Sequence, residues 1–399
     1  MGFWRVRAGW VMVCVCLAFG MPAVQAQPSL APDSRPVVSA PSLGSAPSED
    51  AELPLVGLNE QIIHIPVAGD ASLQTTIYKP DGPGPFPLIV FNHGKIKGDP
   101  RMQARSEPLP FAREFVRRGY VVVAPNRRGF AQSGGTYGKY ECDVERNGAA
   151  QAEDVAATVA FMSRQPYVDA QHMVVAGVSH GGLATIAYGA QAAPGVRGLI
   201  NFSGGLRQDA CSDWQGNLTR AFGAYGEKET KVPSLWLYGQ NDSVFPPGLG
   251  VRMYDRYVAG GAAATMVDLG VYKNDAHRML GDRNGVFVWW SPVEGFLRQV
   301  GMPTRVRYRI AQPDQPKASG YAPIESVDAV PFLDRAGREG YRTFLEQYPG
   351  RAFAISTTGA WSWAEGGDDP KSVALANCQK QSPDQCRLYA VDQAVVWRD

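Results

Sequence analysis

Residues 173–182 read Met173-Val174-Val175-Ala176-Gly177-Val178-Ser179-His180-Gly181-Gly182, and no other run in the chain says as much about its fold. Four apolar residues in succession are what a strand shows when both of its faces are covered. The pattern Gly-x-Ser-x-Gly follows at once, and a stretch of small residues from Gly181 to Ala193 then has helical character. The reading is strand, sharp turn, helix. In that frame Gly177 and Gly181 remove side chains that would clash, and Ser179 stands on a strained turn. The turn also directs the next backbone N–H and the positive end of the helix at whatever meets the serine. As a bare pattern, Gly-x-Ser-x-Gly occurs by chance; the strand before it and the helix after it make it specific.

Working outward, the same alternation continues on both sides. Ile62–Val67 and Leu73–Tyr78 alternate apolar and polar residues and predict two antiparallel strands joined at Gly69-Asp70. Pro87–Asn92 and Tyr120–Ala124 are buried-strand runs, separated by a helix over Phe111–Arg118 that Gly119 ends. A helix is expected over Ala149–Arg164, with Val155, Val159 and Met162 on one stripe. Beyond the serine come strands at Gly198–Phe202, Ser234–Tyr238 and Ala264–Leu269, a short helix around Trp214–Tyr225 and a helix over Phe287–Val300. Strands alternating with helices predict an α/β fold, a doubly wound, mostly parallel sheet with helices on both faces. No internal repeat interrupts it. After Gly301 the texture changes: residues 311–331 are rich in Pro, Ser and Gly, and an amphipathic helix over Leu333–Gln347 follows. Arg351–Ile355, a Trp-rich turn at Trp361 and Trp363, Lys371–Gln379 and Arg387–Val396 then complete a small C-terminal α+β domain.

A serine nucleophile needs a base to take its proton and an acid to orient that base. The acid is expected after a later strand. Ser234–Tyr238 is followed by Gly239-Gln240-Asn241-Asp242, which places Asp242 at the strand's C-terminal end. The next strand is followed by Asn274-Asp275-Ala276-His277. The chain order Ser179, Asp242, His277 is the one this kind of sheet uses. Among the other histidines, His64 lies in the first hairpin, His172 precedes the serine's own strand and His180 is locked beside the serine. Asp275 and Asp268 lie near the histidine and are the alternative acids. Asn92-His93-Gly94-Lys95 ends another strand, and a His-Gly ending there commonly supplies a backbone donor. The N–H groups of Lys95 and His180 are the expected oxyanion pair, with the His93 imidazole bracing its loop.

The chain has 399 residues, 45% hydrophobic, and its 39 Lys and Arg nearly cancel its 38 Asp and Glu. That balance argues against an electrostatic nucleic-acid binder, and five His with six Cys argue against a large metal cluster. The length allows two domains. Arg5 and Arg7 precede an uncharged apolar run from Ala8 to Gly20, and Val24-Gln25-Ala26 offers a small residue at a cleavage site. This reads as a secretory signal peptide over 1–26, its apolar run being too short to cross a bilayer. Residues 27–54, rich in Pro, Ser and Ala, read as a flexible tether. The division expected is then 1–26 signal peptide, 27–54 linker, 55–304 the α/β domain, 305–330 a second linker and 331–399 the small domain. Export, to the bacterial periplasm or beyond, leaves Cys142, Cys211, Cys378 and Cys386 in an oxidising compartment, with three possible pairings.

The motifs resemble the α/β-hydrolases, in the dienelactone hydrolase and prolyl oligopeptidase-like branch. The resemblance rests on Asn92–Lys95, Pro125-Asn126-Arg127-Arg128-Gly129, Gly177–Gly181, Gly239–Pro246 around Asp242, and His277, and covers roughly residues 55–300. It implies hydrolysis of esters, lactones, thioesters or peptides through an acyl-enzyme, with no metal or organic cofactor. Two departures qualify it. Dienelactone hydrolases proper use a cysteine where this chain has Ser179, and residues 27–54 cannot hold the propeller of prolyl oligopeptidase-type peptidases. In this frame Cys142 and Cys211 fall in loops at the rim of the site, while Cys378 and Cys386 are remote from them. The pairs expected are therefore Cys142–Cys211 and Cys378–Cys386. Only 30 residues separate Phe202 from Pro233, which leaves no room for a large helical cap and predicts an open, loop-walled site for a soluble ester or short peptide.

Overall fold

The computed structural model describes residues 53–228, 232–311, 315–347, 350–365 and 369–398. The leader expected over 1–26, and all of the tether except its last two residues, lie outside the described residues. Eight strands make the large sheet: β1 Gln61–Val67, β2 Ala71–Tyr78, β3 Phe86–Asn92, β4 Val121–Pro125, β5 Val168–Val178, β6 Val196–Phe202, β7 Ser234–Tyr238 and β8 Ala264–Asp268. Across the sheet the order is β1-β2-β4-β3-β5-β6-β7-β8. The pairs β1–β2 and β2–β4 are antiparallel, and all the others are parallel.

Parallel neighbours need crossovers, and six helices supply and complete them: α1 Leu109–Val116, α2 Val144–Met162, α3 His180–Tyr188, α4 Trp214–Glu227, α5 Pro247–Ala259 and α6 Val286–Gln299. The two-residue period of the strands divides their side chains between two cores. Leu88, Val90, Val121, Val123 and Val175 pack with apolar residues of α2 to α5. Ile89, Phe91, Val122, Ala124, Val174 and Ala176 pack on the opposite face with α1 and α6, around Phe111, Phe115 and Trp289. The doubly wound, mostly parallel sheet expected from the sequence is present. Between β7 and β8 the sequence suggests no helix, because Pro246-Pro247 and Gly248 and Gly250 look like loop. The structure has α5 there, started by Pro247 at its first turn, with Leu249, Met253 and Tyr257 buried four residues apart. Helix α2 begins at Val144, five residues before the expected start, because the Asp143 side chain accepts from the Arg146 N–H and caps it.

A second, four-stranded sheet follows: β9 Arg351–Ile355, β10 Trp361–Glu365, β11 Arg387–Val391 and β12 Ala394–Val395, in the order β10-β9-β11-β12 and antiparallel throughout. Helices α7 Arg335–Glu346 and α8 Pro370–Gln379 pack on it. The Trp-rich segment, expected as a turn, is strand β10. Its alternate tryptophans suit a half-buried pleat, and Phe353 lies opposite Trp363 in the ladder. Trp361 stacks on Phe353 with ring centroids 5.9 Å apart, and it packs so closely against α7 that a β-carbon at Gly340 would meet it at 2.2 Å. The aromatic pair therefore serves the interior of this domain.

The segment after α6 is tied back to the large-sheet half, which in turn meets the second sheet's residues through side chains. Leu55–Val56 pairs in parallel with Arg309–Ile310, and the N–H groups of Arg307 and Tyr308 donate to the Arg117 carbonyl. Arg278 donates to the Glu346 carbonyl, and Arg283 pairs with Asp392 at 3.4 Å. Both expected disulfides are formed, Cys142–Cys211 and Cys378–Cys386. No described helix is long and apolar enough to cross a membrane.

The two crosslinks close loops of very different size, with sequence separations of 69 and 8. Chain-entropy arguments give the longer one about 4 kcal/mol and the shorter about 2.5 kcal/mol. Replacing Cys142 and Cys211 together by Ala should therefore lower unfolding stability more than replacing Cys378 and Cys386. Urea unfolding of the two double variants checks the ranking.

Candidate active site

The C-terminal ends of β3, β5, β7 and β8 converge at one edge of the large sheet, where the parallel order directs their loops. Ser179 lies between β5 and α3 with φ 54° and ψ −123°, a left-handed value that few non-glycine residues adopt. The turn survives because glycines surround it. A β-carbon on Gly181 would lie 2.0 Å from the Asn92 carbonyl oxygen, and one on Gly177 would lie 2.2 Å from the Gly181 oxygen. The backbone is also tied down: the Ser179 N–H donates to the Phe202 carbonyl, and the Gly205 N–H donates to the Ser179 carbonyl. Gly94 at the end of β3 comes within 3.3 Å of the Ser179 β-carbon, measured from the position its own would take. This brings the Lys95 segment beside the serine. The His180 N–H belongs to the first turn of α3, whose amides lack intrahelical acceptors.

Asp242 and His277 meet. The His277 Nδ1–H donates to Asp242 Oδ2 at 2.9 Å, and the carboxylate's other oxygen accepts from the N–H groups of Val244 and Phe245. Burial opposes the charge on Asp242, but the bond from His277 and the two backbone N–H groups outweigh it and hold the carboxyl below its ordinary range. With Nδ1 committed, Nε2 is the ring atom left to accept a proton. Neither alternative acid bonds the imidazole: Asp268 accepts from Gln240 and from the Gly270 N–H. Asp275 accepts from the N–H groups of Ser243 and His277, each at 3.0 Å, and from Ser243 Oγ at 2.8 Å. It ties the turn bearing Asp242 to the turn bearing His277. Ser179 Oγ makes no hydrogen bond with another described residue. Phe245, whose ring meets His277 edge-on at 5.4 Å, lines the same cavity as Ser179.

That cavity holds about 500 Å³ and is walled by loops, with Lys95, Lys97, Tyr137, Arg207 and Asp209 among its lining residues. No described helical cap covers it. The sequence does not reveal what lies beneath. Arg127 is fully buried, and its Nη2 donates to the His93 carbonyl at 2.7 Å and to His180 Nδ1 at 3.2 Å. Its Nε donates to Gln151, and its backbone N–H donates to His93 Nε2. One guanidinium thus grips both segments that flank the serine. His93 Nδ1–H in turn donates to the Gly94 carbonyl, and His180 Nε2–H donates to Asn147. The bracing expected of His93 is what the ring does. Burial lowers the Arg127 pKa to about 10, and burial with the nearby guanidinium pushes both histidines well below their ordinary value. The available sequence signal is Asn126-Arg127-Arg128-Gly129, which directly follows β4, but charge alone does not tell which arginine turns inward.

The eight-stranded order, its antiparallel second strand and the serine turn after β5 now stand together with a match in sequence. The family model of X-Pro dipeptidyl-peptidases (S15 family) matches residues 69–234, from the first hairpin to the start of β7. The chain has the α/β-hydrolase fold. The match ends before Asp242 and His277. No curated protein matches the sequence. Among solved structures, a candidate dienelactone hydrolase from Klebsiella pneumoniae is similar at 17% identity and TM-score 0.45, covering 60% of this chain and 98% of its own. Est1E from Butyrivibrio proteoclasticus, solved with ferulic acid bound, is similar at 18% identity and TM-score 0.45, covering 60% and 99%. The Pyrococcus horikoshii acylaminoacyl peptidase is similar at 17% identity and TM-score 0.45, covering 64% of this chain and 43% of its own. The chain therefore spans under half the length of that peptidase. The hydrolase fold is one that serine peptidases and esterases share.

The buried histidines of this α/β-hydrolase fold have a measurable consequence. Both stay neutral when folded, whereas in the unfolded chain they protonate near pH 6.5. Their neutral form is favoured by folding, so their contribution is fully present above that pH and is lost as pH falls below it. Two protons taken up on unfolding give a slope of about 2.7 kcal/mol per pH unit. Stability from urea unfolding should fall between about pH 6.5 and 5. Replacing His93 by Gln should reduce that slope.

Proposed function

We propose that this protein is an exported serine hydrolase that cleaves carboxylic esters of soluble substrates through an acyl-enzyme. The observation that carries the reading is the Asp242–His277 hydrogen bond, set at the same sheet edge as a serine held at φ 54°. Ser179 Oγ attacks the ester carbonyl while His277 Nε2 takes its proton, and Asp242 holds the imidazole in the tautomer that can accept it. The negative charge that develops on the carbonyl oxygen meets the N–H groups of His180 and Lys95, each such donor lowering the barrier by about 3 kcal/mol. His277 then returns the proton to the departing alcohol. Water, activated by the same imidazole, releases the acid and restores Ser179. Export is supported by the leader over 1–26 and by two disulfides. The catalytic domain in this reading is 55–304, and 331–399 is an appended domain.

A second reading, an exported peptidase, is favoured by the S15 match over residues 69–234. A dipeptidyl-peptidase has to recognise a free amino terminus. The only carboxylate lining the cavity among the described residues, Asp209, is bonded to Arg207 at 2.6 Å, which weighs against a cationic substrate. Ester cleavage therefore stands as the proposal.

A fluorophosphonate should label the protein at Ser179, and Ser179→Ala should remove both the label and ester turnover by about four orders of magnitude or more while leaving the fold intact. Circular dichroism and mass spectrometry provide the controls. Turnover of p-nitrophenyl esters without turnover of X-Pro anilides separates the two readings. Wild-type turnover in the alanine variant would end the assignment.

A further inference from the structure

The loops around Ser179 differ sharply in charge from the chain as a whole. The protein is nearly neutral, yet its cavity is lined by Lys95, Lys97 and Arg207 against the single carboxylate of Asp209. The two segments that carry these cations both reach the serine turn. Lys95 and Lys97 follow Gly94, which abuts the Ser179 β-carbon, and Arg207 lies two residues beyond Gly205, whose N–H is bonded to the Ser179 carbonyl. Among the described lining residues Asp209 is the one carboxylate that faces them, and Asp99, outside the lining, acts on Lys95.

Their partners fix where the charge sits. The Lys95 ammonium donates to the carbonyls of Ile96 and Gly98, at 3.2 and 3.3 Å, and lies 5.7 Å from the centroid of the Tyr137 ring. Asp99 partly offsets the Lys95 charge, so Lys97 and Arg207 are the cations left to meet an anion. Arg207 uses Nε for Asp209 and lies over the Trp214 ring at 5.6 Å, so neither of its terminal nitrogens has an acceptor among the described residues. A planar fork held on an aromatic face, with two N–H-bearing nitrogens unclaimed, matches a carboxylate better than any neutral group. Lys97 and Arg207 line one cavity together with Asp209, whose carboxyl is held below its ordinary range by Arg207 with a further contribution from Lys97.

We infer that the acyl part of the substrate carries an anionic group, a carboxylate at the end distal from the scissile ester, which Arg207 and Lys97 receive at the cavity rim. The inference rests on the serine hydrolase reading of the same site. It assigns specificity to charge at the rim and leaves the bond-breaking steps to Ser179, His277 and Asp242. Rim charges of this kind act mainly on encounter and on the choice of partner, and salt screens them.

Three ethyl esters of matched length test it in a pH-stat: monoethyl adipate, ethyl hexanoate and ethyl 6-aminohexanoate. The expected order of kcat/KM is anionic, neutral, cationic, with about tenfold between the first two at low ionic strength, a step that corresponds to about 1.4 kcal/mol. Sodium chloride at high concentration should compress the ratio. Arg207→Ala with Lys97→Ala should bring the anionic-to-neutral ratio toward one, and Arg207→Glu should invert it. Equal or better turnover of the neutral or cationic ester, or an anionic preference that survives the double alanine change, would overturn the inference. Fluorophosphonate labelling of the same samples separates the failures. Label at Ser179 with a neutral preference defeats the charge argument alone, whereas no label and no turnover of any ester defeats the hydrolase reading and this inference with it.

Discussion

The close approach of α3 to the ends of β3 and β5 governs the rest of this molecule. Three backbone segments meet where a single β-carbon would overlap a carbonyl oxygen at about 2 Å, and only glycine at 177 and 181 permits it. Once that approach is made, Ser179 has little choice of conformation. Its positive φ follows from the geometry on either side, and the surrounding hydrogen bonds to Phe202 and Gly205 hold what the torsion alone would release. The large sheet, covered on both faces, is the rigid body against which that strain is held.

Beneath the turn, a cation occupies a place where charge is usually avoided. Arg127 is fully buried, and its guanidinium donates to a carbonyl, an amide side chain and an imidazole rather than to a carboxylate. Asp154 is the carboxylate that acts on it, and its side-chain oxygens accept from Arg128. Such a group is costly to bury, and it persists here because it joins the loop after β3 to the first residue of α3 in a single contact set. The two histidines complete the network in defined tautomers, each accepting from Arg127 on one nitrogen and donating on the other. Positions that a backbone alone would leave adjustable by tenths of an ångström are therefore fixed by side chains from α2 and the loop after β4.

Much of this is legible in the amino-acid sequence. The Met173–Gly182 run reads as strand, turn and helix because a covered strand is uniformly apolar and a crowded turn requires glycine, and both are local properties. The order Ser179, Asp242, His277 can be read because parallel strands present their loops at one edge, so a loop's rank along the chain predicts its place in space. Helix α5 escapes such a reading because its glycines and its two leading prolines have the texture of a loop, and only burial against Tyr238 and its neighbours makes it a helix. Strand β10 escapes for the opposite reason. Trp361 and Trp363 alternate as a strand should, but the segment is short and its meaning depends on Gly337 and Gly340 in a helix about twenty residues earlier. Arg127 cannot be singled out at all: burial of a guanidinium is decided by what surrounds it in three dimensions.

The Cys142–Cys211 crosslink bears on how such a site could diverge. It fastens the segment that carries Arg207 and Asp209 to the loop before α2, and Gln208 reinforces the tie by donating to the Glu141 carbonyl. With the course of the main chain set covalently, the side chains at 207 and 209 are released from any duty to shape the loop. They can be exchanged under new chemical demands, whereas at Gly177 and Gly181 any β-carbon would overlap a backbone oxygen. The molecule thus separates an invariable engine from a replaceable collar, and the sulfur bridge is the seam between them.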